Sequence, residues 1–211
     1  MYQEVKRRLE AACQRSSRAP DEVTLVAVTK GRSVATIQHH ILDQGHTILG
    51  ENRIQEWREK APHLAKVEWH FIGNLQRNKV RYCLPFHLIH SLNSERLADA
   101  LQALGERKGH IFRVLVEVNV AGEASKQGLS PPAAAALVRH AATLPNVTVT
   151  GLMTMAPFTR EAEASRQHFR TLRRLRDKLG LVELSMGMSA DFEVAVEEGA
   201  TIVRIGTALF E

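Results

Sequence analysis

The stretch "DEVTLVAVTKGRS", residues 21–33, holds a run of aliphatic and β-branched residues that ends on Thr29 and Lys30, just before Gly31. A lysine at the end of a buried strand has two readings. Its stem can lie along a rim with the ammonium in water. Alternatively it stands partly desolvated at the mouth of a pocket; desolvation favours the neutral amine, which can attack an aldehyde and form a Schiff base.

The other end of the chain narrows the choice. "VRIGTALFE" places Gly206 and Thr207 just past a strand, where backbone N–H groups and a hydroxyl can cradle an anion. "LSMGMSADF" places Ser185, Gly187 and Ser189 after the strand before it, with Ser189 also a fitting helix N-cap. Each segment alone fits ordinary turn chemistry. Together, on one rim, they favour a phosphate site. Arg204 lies two residues before Gly206 on the same strand, and an interior arginine needs an acceptor. The ring nitrogen of a pyridine is one. Lysine, arginine and a phosphate cradle on a common rim suit pyridoxal 5′-phosphate (PLP).

These groups need a scaffold that brings distant segments together. Strand-like runs recur at "VTLVAV", "HTILG", "EWHFIG", "FHLIHS", "FRVLVEVN", "NVTVTGL", "VELSMG" and "TIVRIG". Most are continuously apolar, as in strands buried on both faces. Helical patterns separate them, among them "SVATIQHHILDQ", "SERLADALQALGERK", "PPAAAALVRHAATL" and "EAEASRQHFRTLRRLRDKLG". Ser94 and Ser130 sit at N-cap positions, the second before Pro131, and Gly109 and Gly180 lie past helix ends. Alternating strands and helices call for parallel pairing through right-handed crossovers. The expected fold class is α/β: a single-domain (β/α)8 TIM barrel over residues 1–211, with an extra N-terminal helix (residues 2–14) that could cover its base. An open doubly wound sheet has the same periodicity. No GxGxxG follows the first strand, which counts against a dinucleotide fold. In a barrel the carboxyl ends of the strands carry the chemistry, and Lys30, "GEN" (50–52), Ser185 and Gly206 all lie at such ends.

The chain has 211 residues, 44% hydrophobic and 24% charged, which suits a globular protein with a sizeable core. Its net charge of +5 permits an anionic ligand. Two cysteines, Cys13 and Cys83, show no metal spacing or activating pattern and suggest a reduced, cytoplasmic setting with structural thiols. The first residues hold no apolar signal region, and no run of 18 apolar residues would span a membrane.

The segments "LVAVTK", "GENRIQE", "WHFIGNLQRNK", "VEVNVAGEASKQG", "GLMTM" and "LSMGMSADFEVAVEEGATIVRIGTALF" resemble the YggS/PROSC-type pyridoxal 5′-phosphate homeostasis proteins, in order and from residue 25 to residue 210. The resemblance implies a barrel like the N-terminal domain of alanine racemase, with Lys30 as the Schiff-base lysine and Arg204 opposite the pyridine nitrogen. It implies phosphate contacts from Ser185, Gly206 and Thr207 with Met188 and Ser189 nearby, and a pocket wall of Asn52, His70 and Met153. Asn74 stands where the family has a proline and Leu49 where it has a phenylalanine. Glu211 closes a chain whose relatives run a few residues further.

An arginine opposite the ring donates only, so it keeps the ring nitrogen unprotonated and the cofactor a weaker electron sink. Alanine racemase works with such an arginine but adds a tyrosine base from a second domain and a dimer partner. Here only Tyr2 and Tyr82 occur, neither in a strand-end motif. The reading is a monomeric PLP carrier that stores or delivers the cofactor, with apo-enzymes as partners and neither nucleic acid nor membrane. A weak amino-acid racemase or decarboxylase is the alternative.

The helix "RQHFRTLRRLRDKL" has an apolar stripe of Phe169, Leu172, Leu175 and Leu179, and its arginines are expected on a solvated face. No metal is expected from the ten histidines: His39 and His40 are adjacent, and His87 and His90 should face opposite sides of a strand. Lys79 and Lys126 read as exposed loop lysines, the second able to guide an anion to the mouth.

Overall fold

The computed structural model describes residues 1–122, 127–157, 159 and 161–211. Eight parallel strands close on themselves in sequence order: β1 (Thr24–Val28), β2 (Ile48–Glu51), β3 (Glu68–Phe71), β4 (Phe86–Leu92), β5 (Phe112–Glu117), β6 (Val147–Met153), β7 (Glu183–Ser185) and β8 (Ile202–Ile205). The last strand pairs with the first from Thr24↔Ile202 to Ala27↔Ile205, which makes a closed (β/α)8 barrel and excludes the open sheet.

The helices α1 (Tyr2–Arg15), α2 (Val34–His40), α3 (Ile54–Lys60), α4 (Glu95–Lys108), α5 (Pro131–Ala141), α6 (Arg166–Lys178), α7 (Phe192–Glu197) and α8 (Thr207–Phe210) lie outside it. Local chemistry sets their ends. Ser33 and Ser94 cap α2 and α4 by accepting from the backbone N–H of Thr36 and Leu97. Gly109 stops α4 in the left-handed region at φ +61°. Ser130 stands at the N-cap of α5, but its side chain makes no capping bond; Pro131 in the first turn fixes the start.

Two cores result. Side chains between strands and helices form the larger one. Inside the barrel, Val26, Leu88, Leu115, Met153 and Ile202 form a compact apolar layer. Burying each such side chain contributes about 1.5–3 kcal/mol.

Three expectations need correction. Helix α1 covers only one side of the base, where Tyr2, Lys6 and Leu9 lie by the starts of β1 and β2, and then runs up the flank, where Arg8 and Arg15 pair with Glu193 and Glu197 of α7. The other side of the base opens into a cavity of about 600 Å³ lined by Glu68, His87, His110 and Arg113, with no residue of α1. The arginines of α6 are not simply solvated: Arg166, Arg170 and Arg173 converge on Glu198, whose side chain is 4% exposed. That face is used within the fold, while Phe169 and Leu172 bury the stripe read from the sequence. Finally, Trp69 pairs with Phe86 but His70 pairs with Leu88, so His87 is an extra residue in a β-bulge. The bulge defeats simple alternation, and His87 and His90 both pack against the ring of His70.

Candidate functional site

Because all strands run the same way, their carboxyl ends share one rim. Pairing of β8 with β1 sets Arg204 beside Val26, and Gly206 lies against Val28, two residues before Lys30. The phosphate-type loops and the lysine are thus neighbours across the seam that closes the barrel.

Lys30 itself is exposed, in the turn beyond β1, and not partly desolvated as the sequence suggested. Its backbone neighbours are held on both sides. Thr29 is fully buried; its hydroxyl donates to Glu51 Oε1 at 2.7 Å, and its carbonyl accepts from Lys60 Nζ at 2.8 Å. Lys60 also donates to Glu51 Oε1 at 2.6 Å and to Glu56 Oε2 at 3.3 Å. The N–H of Gly31 donates to the same Glu56 oxygen at 2.8 Å. Further along, Arg32 pairs with Glu211 at 2.7 Å. The segment "GENRIQEWREK" therefore acts as a clamp on residues 29 and 31, leaving Lys30 free between them. The signal for it was a glutamate ending an apolar strand, with glutamate and lysine four residues apart on the following helix. Burial pushes the Glu51 carboxyl up, while hydrogen bonds from Lys60 and Thr29 and the charge of Lys60 oppose it.

The loop after β7 is shaped by Gly187, at φ +91°, where a Cβ would come within 2.5 Å of Ala195. Its carbonyl accepts from the N–H of Arg204 at 3.0 Å, tying this loop to β8. Asp191 accepts from the N–H of Met188 at 2.7 Å, and Ser189 Oγ accepts from the N–H of Ala208 at 3.3 Å. The two loops are stitched together. Among the described residues the N–H groups of Ser189, Gly206 and Thr207 donate to no backbone carbonyl. Met188 and Thr207 are exposed at this edge.

Arg204 is 5% exposed. One terminal nitrogen donates to Ser185 Oγ at 2.5 Å and the other to the Thr154 carbonyl at 2.9 Å. Its Nε has no hydrogen-bond partner among the described residues. Burial lowers the guanidinium to about 10, against the pull of Asp191 and Glu117, so it stays charged at neutral pH.

Ser185 departs from its expected place in the phosphate cradle. It is fully buried, and its hydroxyl is occupied by Arg204 and by His90 Nδ1 at 2.8 Å. It holds the arginine from within the barrel. Met153, 1% exposed, belongs to the interior apolar layer and forms a floor. His70, 2% exposed, lies inside the barrel, bonded to His90 and Glu68. Asn52 sits half-buried past β2, with its side-chain oxygen enclosed and without a partner among the described residues. Lys126 lies outside the described residues.

Sequence reasoning missed His90, Glu68 and Glu117. His90 was hidden by the bulge. Glu117, 3% exposed on β5, shares the inward face of Leu115; burial pushes its carboxyl up while Arg204 pulls it down, and its Oε2 has no partner among the described residues. Glu68, His70 and His87 each bring a donor atom within 4.8 Å of the others. Arg113, however, donates to His87 at 2.7 Å, and its charge opposes a cation there.

The described residues include no helix long and apolar enough to cross a membrane. The family model of the alanine racemase N-terminal domain matches residues 2–211. The chain is 45% identical to the pyridoxal phosphate homeostasis protein of Aquifex aeolicus, covering 98% of this chain and 94% of that one. It is 44% identical to the protein of that name from Deinococcus radiodurans, over 95% and 94%. PipY of Synechococcus elongatus, solved with PLP bound, superposes with a TM-score of 0.84 at 33% identity, covering 97% of this chain and all, 100%, of that one. Alanine racemase of Clostridium difficile shares the fold alone, with a TM-score of 0.77 at 12% identity, over 96% of this chain and 54% of that one. The chain belongs to the family of pyridoxal phosphate homeostasis proteins, built on the barrel of the alanine racemase N-terminal domain.

Proposed function

We propose that this chain, as one barrel domain, binds PLP covalently through Lys30 and stores it or hands it to PLP-dependent apo-enzymes. The observation that carries the reading is one rim that holds a free lysine, a buried arginine with an unused Nε, and two stitched loops with unbonded N–H groups. A PLP molecule meets each of these with a matching group: an aldehyde, a ring nitrogen and a phosphate. The enclosed, unpartnered oxygen of Asn52 is a further polar atom that a ligand would complete. The solved PLP complex of PipY, similar over the whole chain, supports the same assignment.

In this reading Lys30 supplies the amine. Arg204 faces the ring nitrogen as a donor and, having no proton to give up at neutral pH, leaves that nitrogen unprotonated. Ser189, Gly206 and Thr207 hold the phosphate, Met188 borders it, and Asn52 walls the ring. Ser185 fixes Arg204, and Met153 and His70 lie beneath. PLP supplies a carbonyl for amines and, with a protonated ring, an electron sink; the arginine withholds the second property. Tyr2 and Tyr82 stand in α1 and beside α4, remote from this rim, so no tyrosine serves as a base there. These features favour a carrier over a catalyst.

The test is to load the protein and mix it with a PLP-requiring apo-enzyme. Recovery of that enzyme's activity, with no turnover of an amino-acid panel by the protein itself, supports the carrier. Racemised or decarboxylated product above the rate of free PLP, lost in Lys30→Ala, would establish the enzyme instead.

A further inference from the structure

A continuous row of polar side chains threads the barrel from its open base to Arg204. Glu68 Oε1 lies 3.0 Å from His70 Nε2, His70 Nδ1 lies 2.9 Å from His90 Nε2, and His90 Nδ1 lies 2.8 Å from Ser185 Oγ. Ser185 Oγ accepts from Arg204 at 2.5 Å. His90 and Ser185 are fully buried and His70 is 2% exposed, whereas the Glu68 side chain is 38% exposed and borders the basal cavity. One end of the row is wet and the other lies at the rim.

With both histidines neutral and Glu68 ionised, the protons in this row have a single consistent arrangement. Arginine only donates, so Ser185 Oγ accepts from Arg204 and directs its own proton to His90 Nδ1. A neutral His90 then carries its proton on Nε2 and donates to His70 Nδ1. A neutral His70 carries its proton on Nε2 and donates to Glu68. At the base, Arg113 donates to His87 Nε2, which leaves the His87 proton on Nδ1, 3.6 Å from Glu68. Glu68, which only accepts, thus sets the tautomers of the neutral His70 and His90, and Arg113, which only donates, sets that of His87. Burial, the charge His70 carries once protonated, and the charge of Arg204 keep His90 neutral.

We propose that Glu68, His70, His90 and Ser185 form a proton-linked relay that couples protonation at the base of the barrel to the hydrogen bonding of Arg204 and the cofactor above it. The cofactor end of this inference rests on the proposed function. When one proton enters from solvent, His70 becomes an imidazolium paired with Glu68. Its Nδ1–H now donates to His90 Nε2, and His90 carries its single proton on Nδ1 and donates to Ser185. Ser185 then accepts from both His90 and Arg204, and its hydroxyl keeps its proton but rotates it away from His90. One proton is gained, and none is lost from the row.

The charged groups around the row define its environment. Glu68 comes from β3, His87 from β4, Arg113 and Glu117 from β5, Glu183 from β7, and Asp191 from the turn before α7. The strands β1, β2 and β6 present Val26, Gly50 and Met153, which carry no charge. The charged partner in direct contact with His70 is the carboxylate of Glu68.

The experiment has two arms. In the ligand-free protein, nitrogen NMR of the histidine side chains reads the tautomers. His90 is expected as the Nε2–H form at high pH and as the Nδ1–H form once His70 is protonated. In the PLP-loaded protein, the visible band is followed from about pH 5 to 9, the range in which histidines titrate. A one-proton transition is expected. Glu68→Gln, at the surface, should lower its midpoint, because the imidazolium loses its carboxylate. His70→Phe should remove it. An unchanged midpoint in Glu68→Gln, or an Nδ1–H tautomer of His90 at high pH, overturns the relay. If no band forms with PLP, the cofactor assignment fails, and the ligand-free arm still decides whether the relay exists.

Discussion

Lys60 Nζ stands 2.6 Å from Glu51 Oε1, in a pocket where the Glu51 side chain is fully buried and that of Lys60 is 10% exposed. This ion pair grips Thr29 directly and, through Glu56, reaches Gly31, so it fastens the backbone on both sides of Lys30.

Breaking the pair from one side leaves a buried carboxylate without its cation. Lys60→Met is expected to lower unfolding free energy by about 3–5 kcal/mol in urea titrations. The same variant should weaken PLP binding, since residues 29–31 lose their anchor. Replacing both partners, Glu51→Leu with Lys60→Met, should recover most of the stability but not the affinity. Equal recovery of both would mean that the pair does not position Lys30.

Gly187 offers a test of the phosphate-side loops. Its φ of +91° and the 2.5 Å approach to Ala195 leave no room for a side chain. Gly187→Ala should cost about 2–4 kcal/mol from backbone strain and overpacking. Affinity for inorganic phosphate, measured by calorimetry, should fall with it, because the carbonyl of Gly187 holds the N–H of Arg204.

The two cysteines give a check on burial. Both are fully enclosed, and burial raises the Cys83 thiol to about 12. Native protein at pH 8 should therefore react with a thiol-specific dye far more slowly than unfolded protein, whose cysteines ionise near the ordinary value of about 8.5. Rapid labelling of Cys83 in the folded state would contradict the packing.

The barrel was legible because its strands are continuous apolar runs separated by amphipathic segments, and the placing of Lys30, Arg204 and Gly206 on one rim was legible because strand ends in a barrel face one way. What escaped was set by single-residue irregularities and by pairing across long separations. One extra residue at His87 turned His90 inward against the alternation rule. Ser185 reads as a loop serine, yet it is claimed by Arg204, 19 residues on, and by His90, 95 residues back. The arginines of α6 look like a solvated face until the fold brings Glu197 and Glu198 under them. The exposure of Lys30 depends on where the turn after β1 points, which strand periodicity does not specify.

The α6–α7 ion cluster makes the fold sensitive to acid. Burial pushes the Glu198 carboxyl up, but hydrogen bonds from Arg166 and Arg170 and the charges of Arg170 and Arg173 outweigh it, so the group titrates below its ordinary value. A carboxyl with a depressed folded-state value contributes stability above its unfolded value of about 4.3 and loses it as pH falls through the folded value. Urea midpoints should hold from neutral pH to near 5 and then fall. Glu198→Gln should be less stable at neutral pH, with a shallower loss in acid. A variant with the wild-type acid profile would remove Glu198 from this role.

The covalent attachment point tests the central claim most directly. After incubation with PLP the protein should absorb in the violet. Borohydride reduction followed by peptide mass mapping should place the pyridoxyl mass on Lys30, and Lys30→Ala should stay colourless. A reduced adduct on Lys60, Lys79 or any other lysine, or a wild-type protein that remains colourless with PLP, would contradict the account.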